Sequence, residues 1–176
     1  MNSEPELINR VAESDLYTIA LDDMVRELPL DEFDLKDFLF RGLILKEKDF
    51  REALKSYDWT IHKDKYLTVY CSADAIIPMW AFMLISAYAT PFVQQIFFGN
   101  KARAIEQLLL EKIKNNDWNK YSGKRVVIKG CSDQEIPASA YLLVANQLQP
   151  LAQSIMYGEP CSNVPIFKRP RIVDPR

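Results

Sequence analysis

An internal repeat constrains this 176-residue chain more than any other feature of its sequence. Displaced by 59 positions without a gap, the sequence matches itself at 12 of the 42 pairs running from Asp58 with Asp117 to Gly99 with Gly158. Chance would give about two or three. The matches include Asp58-Trp59 with Asp117-Trp118, Ile77-Pro78 with Ile136-Pro137, Pro91 with Pro150 and Gln94 with Gln153. A local shift of one residue also brings Cys71-Ser72-Ala73-Asp74 onto Cys131-Ser132-Asp133. A solenoid needs at least three units, so two copies point to one domain with internal pseudo-symmetry.

Both copies, residues 58–99 and 117–158, are punctuated alike. Apolar residues at three- and four-residue spacing predict a helix ahead of each: Phe50, Leu54 and Tyr57, then Ile105, Leu108, Leu109 and Ile113. The β-branched runs Tyr66–Tyr70 and Arg125–Lys129 predict strands. Ile-Pro then opens a helix, because proline is tolerated in a first turn where its missing N–H has no partner in any case. The helices, over 78–90 and 137–149, close before Pro91 and Pro150, and short strands follow at Gln95–Phe98 and Ser154–Tyr157. The expected fold class is therefore α/β: a single domain over 1–176, with an α-β-α-β duplication around a mainly parallel sheet.

The flanks are less regular. Residues 1–57 form an acidic segment ending in the first helix, with Leu16–Leu21 a candidate strand and Asp34–Phe40 a short helix. Residues 159–176 read as a polar loop and a basic tail, and three prolines at 165, 170 and 175 argue against regular structure from Phe167 to Arg171. Residues 1–60 carry 15 acids against 8 bases, and residues 61–176 carry 9 against 14. The acidic part is thus expected to face a basic remainder. A net charge of −2 is too close to neutral for a dedicated nucleic-acid binder.

The uncharged stretch Ala75–Asn100 is the one membrane suspect. Pro78 and Pro91 bracket about 12 helical residues within it, roughly 18 Å against a 30 Å hydrocarbon layer. Its counterpart in the second copy carries Asn146, Gln147 and Gln149. No membrane association is expected. An acidic start without an apolar core and three widely spaced cysteines suit a cytoplasmic protein with reduced thiols.

With one histidine, His62, the chain cannot build a histidine-pair zinc site, and its five glycines are too far apart for a dinucleotide or phosphate loop. No cofactor is expected. In parallel α/β sheets ligands bind beyond the carboxyl ends of the strands, where the Cys-Ser-Asp loops fall twice, each ahead of a helix N-terminus. The partial positive charge there would lower the pKa of Cys71 or Cys131. In the second copy Lys129 and Gly130 precede Cys131, and only this copy adds the loop Glu159–Asn163 with Cys161 and Ser162.

The expected ligand is a small anion at Lys129, Gly130, Cys131, Ser132, Asp133, Glu159, Cys161 and Ser162, with Cys131 and Glu159 the candidates for any catalysis. Against this stands a reading in which Ser72, Asp74, Ser132 and Asp133 cap helices and the cysteines fill apolar gaps. A metal site would combine Cys71, Cys131, Cys161 and His62, although short Cys-x-x-Cys pairs are absent. His62, flanked by Lys63, Asp64 and Lys65, is otherwise an exposed turn residue, and Trp59 and Trp118 are core anchors. A competing reading is a non-catalytic homo-oligomer that uses the uncharged helices as an interface.

The segments Cys71–Phe82, Val127–Ser132 and above all Ser154–Ser162 resemble the bacterial domain-of-unknown-function family 2480, over nearly the whole chain. Gene neighbourhood attaches sugar-phosphate isomerisation to that family. The resemblance would then imply a carboxylate base, for which Glu159 is available, and a phosphate clamp from Lys129 and a helix N-terminus.

Overall fold

A computed structural model describes residues 16–129, 135–159 and 162–170. In chain order its strands and α-helices are β1 (Leu16–Ile19), β2 (Leu30–Asp34), α1 (Glu47–Ser56), β3 (Tyr66–Tyr70), α2 (Met79–Ala89), β4 (Gln95–Phe98), α3 (Lys101–Asn115), β5 (Arg125–Ile128), α4 (Ala138–Leu148), β6 (Ser154–Glu159) and β7 (Ser162–Lys168). They divide into two compact units. The unit of residues 25–108 is continuous and is called inner because the other, the outer unit, brackets it in the chain by joining residues up to 24 with those from 109 onward.

The α/β class with mainly parallel strands is as the sequence implies. The strands nevertheless form two sheets, β2-β3-β4 and β1-β5-β6-β7, where one was expected. The reason is the pairing of the leading strands. β2 runs parallel to β3 and β1 parallel to β5, so each β-α-β crossover has its own first strand. Among the described strands only β7 is antiparallel, to β6.

The crossovers β3-α2-β4 and β5-α4-β6 correspond position by position. Their strands start at Tyr66 and Arg125, their helices at Met79 and Ala138, and their second strands at Gln95 and Ser154, a spacing of 59 each time. The register repeats as well, Tyr66 opposite Gln95 and Arg125 opposite Ser154. Helix α2 buries Ala81, Ile85 and Ala89, and α4 buries Ala140, Val144 and Leu148. Three small or branched residues at four-residue spacing allow close approach to the sheet.

The Asp-Trp pairs have a common physical role. Asp58 Oδ1 accepts from the Thr60 N–H at 3.1 Å and Asp117 Oδ1 from the Asn119 N–H at 3.0 Å, turning the chain out of the preceding helix. Each tryptophan is buried, and its indole N–H donates to a carbonyl in the last turn of that helix, Leu54 at 3.0 Å and Ile113 at 2.7 Å. Those carbonyls have no partner within the helix, so the indole satisfies a group that burial would otherwise strand.

Two expectations are corrected. Phe167 and Lys168 are not irregular tail but the end of β7, held by ladder pairing with β6. Pro165 is tolerated because β7 is an edge strand with a register shift beside it, so no ladder bond requires the missing N–H. Glu159, Ser162 and Asn163 belong to this hairpin and not to a free loop: Glu159 pairs with Ser162 and Gly158 with Asn163. Pro160, Cys161 and residues 171–176 lie outside the described residues. No described helix is long and apolar enough to cross a membrane.

Candidate functional site

In the inner unit the carboxyl end of β3 runs into Cys71 and Ser72. Asp34, the last residue of the neighbouring β2, holds this loop. Its carboxylate accepts from the Ser72 N–H at 3.0 Å, the Ser72 hydroxyl at 2.6 Å and the Lys36 N–H at 3.0 Å. Burial pushes the Asp34 carboxyl up, but the hydrogen bonds from Ser72 and Lys36 outweigh it and leave it below the usual carboxylate range. Cys71 is half-buried, its thiol directed at the Ala73 carbonyl at 3.6 Å. Ser72 does not cap α2, whose N-cap is Pro78 with no side-chain hydrogen bond.

In the outer unit the same end of the sheet carries Lys129, just after β5, and Glu159 and Ser162, paired in the β6-β7 hairpin. Lys129 follows β5 and its N–H donates to Ile19 at 2.8 Å. Ile128 lies opposite Tyr157, which sets Lys129 beside the end of β6 that carries Glu159. Helix α4 begins at this edge with Pro137 as N-cap and no side-chain cap. Gly130, Cys131, Ser132, Asp133 and Cys161 lie outside the described residues.

Register allows the two strand ends to be compared. Glu32, opposite Thr68, corresponds to Thr18, opposite Val127, and one residue past the ladder Asp34 corresponds to Ala20. Tyr70 corresponds to Lys129. Glu32 and Asp34 raise the pKa of Tyr70, after burial itself, as expected for a phenol beside two carboxylates. The outer unit has Thr18, Ala20 and Lys129 instead, so the local charge changes from acidic to basic. Asp22, two residues beyond Ala20, is buried and engaged, and Glu159 ends β6.

His62 is not an exposed turn residue. It is 4% exposed, with both ring nitrogens bonded. Nε2 lies 2.8 Å from the Tyr57 hydroxyl and Nδ1 2.7 Å from Asp31 Oδ2, which also accepts from Lys65 Nζ at 2.9 Å. The carboxylate can only accept, so Nδ1 carries a proton, and in the neutral ring the Tyr57 hydroxyl donates to Nε2. Burial, then Asp31 and Asp58, raise the Tyr57 pKa and keep it a donor.

The ring stacks on Tyr57 at 5.7 Å and lies 6.3 Å from Trp59. Its position three residues after the buried Trp59, in the same turn, was the overlooked sign that it points inward. His62 precedes β3 and Cys71 follows it, so a five-residue strand of about 17 Å separates two members of the supposed metal set. Among the described residues no group of three or more His, Cys, Asp or Glu could hold a metal ion.

The family model described as "Protein of unknown function (DUF2480)" matches residues 5–169. No curated protein and no solved structure matches the chain.

Proposed function

Since the chain belongs to the DUF2480 family, whose description assigns no activity, we propose from the strand ends that it binds a small anionic metabolite. The site is the carboxyl edge of the outer sheet: Lys129, the loop of Gly130, Cys131, Ser132 and Asp133, the start of α4, and Glu159, Cys161 and Ser162. The observation that carries this reading is the change from Glu32, Asp34 and Tyr70 to Thr18, Ala20 and Lys129 at corresponding positions. A carboxylate pair repels an anion, whereas an ammonium beside an uncapped helix start attracts it. The 59-residue correspondence supports two copies of one ancestral unit, of which the outer copy took up binding. Any catalysis would rest on Cys131 or Glu159.

Thermal shift with inorganic phosphate and a hexose phosphate tests this. Ligand at a hundredfold excess over Kd should raise the midpoint by several degrees. Lys129→Ala should remove the shift, and Cys131→Ser or Glu159→Gln should reduce it. Full shifts in all three variants would overturn the site.

A second reading, a homo-oligomer, is supported by α2 and the residues before it. Ile76, ahead of the helix, is 93% exposed, and Met79 and Met83 on the uncharged helix are 71% and 73% exposed, which leaves an apolar face open to water. Light scattering of the wild type against Met83→Lys discriminates, and a monomeric wild type removes this reading.

A further inference from the structure

We propose a second ligand site at the opposite end of the outer sheet, in a cleft of about 670 Å³ that takes a phosphate or carboxylate carried on an apolar body. Its basis is a row of side chains across three strands. Arg125 opens β5 directly opposite Ser154, the first residue of β6, and Ser154 lies directly opposite Lys168, the last residue of β7. Residues directly opposite one another share a face, and neighbouring strands lie about 4.8 Å apart. A serine hydroxyl is thus flanked by two cations whose strands are about 10 Å apart, an interval that admits an oxyanion between them.

Among the described residues neither cation has an ion-pair or side-chain hydrogen-bond partner, and no carboxylate lines the cleft. The guanidinium offers a fork for two oxygens, the ammonium a point charge and the hydroxyl a donor.

Apart from Gln153, whose side-chain amide donates to the Arg169 carbonyl at 3.2 Å, the rest of the lining is apolar. Met156 follows Ser154 by two residues and shares its face, and Pro165 and Phe167 come from β7. The β6-β7 register shifts between Ile155, opposite Phe167, and Met156, opposite Pro165. Such an irregularity redirects side chains, and here Pro165 and Phe167 both line the cleft with Met156. The volume falls within the range of sites for drug-sized molecules, roughly 300–1,000 Å³. A charged head over Ser154 and an apolar body against Met156 and Pro165, which lie opposite one another, match that lining.

The probes are phenyl phosphate, benzoate and inorganic phosphate, titrated calorimetrically against the full chain at fixed ionic strength. Phenyl phosphate should bind saturably and more tightly than inorganic phosphate. Arg125→Ala and Lys168→Ala should each weaken it about tenfold, with Arg125→Lys falling in between because it keeps the charge but loses the fork. Should Arg125→Ala fail to fold, Lys168→Ala on the exposed edge strand supplies the same reading. Undiminished binding in Lys168→Ala and a folded Arg125→Ala, or no saturable binding of phenyl phosphate or benzoate, would overturn the proposal. In the Lys129→Ala background, which removes the proposed carboxyl-end site, saturable phenyl phosphate binding should persist and should still be weakened by Lys168→Ala. Loss of binding there would assign the anion to the carboxyl-end site and remove the cleft.

Discussion

Asp31 shows how one residue settles several others. Burial pushes its carboxyl up, yet the hydrogen bonds from Lys65 and His62, together with the Lys65 charge, hold it below its ordinary value of 3.8. A carboxyl depressed on folding contributes stability that is present above its unfolded pKa and lost as pH falls through the folded one. Asp31→Asn should therefore lower stability at neutral pH by about 1 kcal/mol, a modest figure because the group is partly exposed. The gap to wild type should close below about pH 4 in urea unfolding curves measured across pH. A constant gap would mean that the charge of Asp31 does not contribute. His62 was legible as a solitary histidine but not as a buried one, because its partner Asp31 is 31 positions away.

Among the elements, the hairpin β6-β7 departs furthest from the sequence reading. Gly158 has φ of +126°, and a Cβ there would lie 2.6 Å from the Ser162 carbonyl oxygen. Its counterpart Gly99, at +119°, would meet only the flexible side chain of Arg103 at 2.7 Å. Gly158→Ala should thus cost about 2–3 kcal/mol through backbone strain and a clash with main chain. Gly99→Ala should cost less, as side-chain movement relieves its contact. Chemical denaturation of both variants checks the order, and equal losses would show that the hairpin tolerates the Cβ. The glycine was visible in the sequence as a repeat boundary. The strand after it was not, because its three-proline neighbourhood suppresses local strand propensity and only pairing with β6 compensates.

At the scale of the molecule, the inner unit, residues 25–108, contains its own three-stranded sheet and a buried core that includes Phe33, Leu35, Phe50, Trp59, Leu67 and Ile85. The outer unit depends on β1, which precedes the inner unit in the chain and pairs with β5. A fragment of residues 25–108 should therefore unfold cooperatively by circular dichroism. Residues 109–176 alone should not, since β5 would lose one of its two neighbours. A cooperative transition in the latter fragment would show that β1 is dispensable.

What the sequence determined by itself is local and periodic: the strands and helices of both crossovers, their proline boundaries, the Asp-Trp turns and membership of the family, all carried by residues close together in the chain. Tertiary structure alone decided which strand pairs with which, and so the division into two sheets. It also decided the burial of His62 against Asp31 and the row of Arg125, Ser154 and Lys168. Pairing between distant segments depends on which surfaces bury each other once the chain has collapsed, and local propensity contains no term for that.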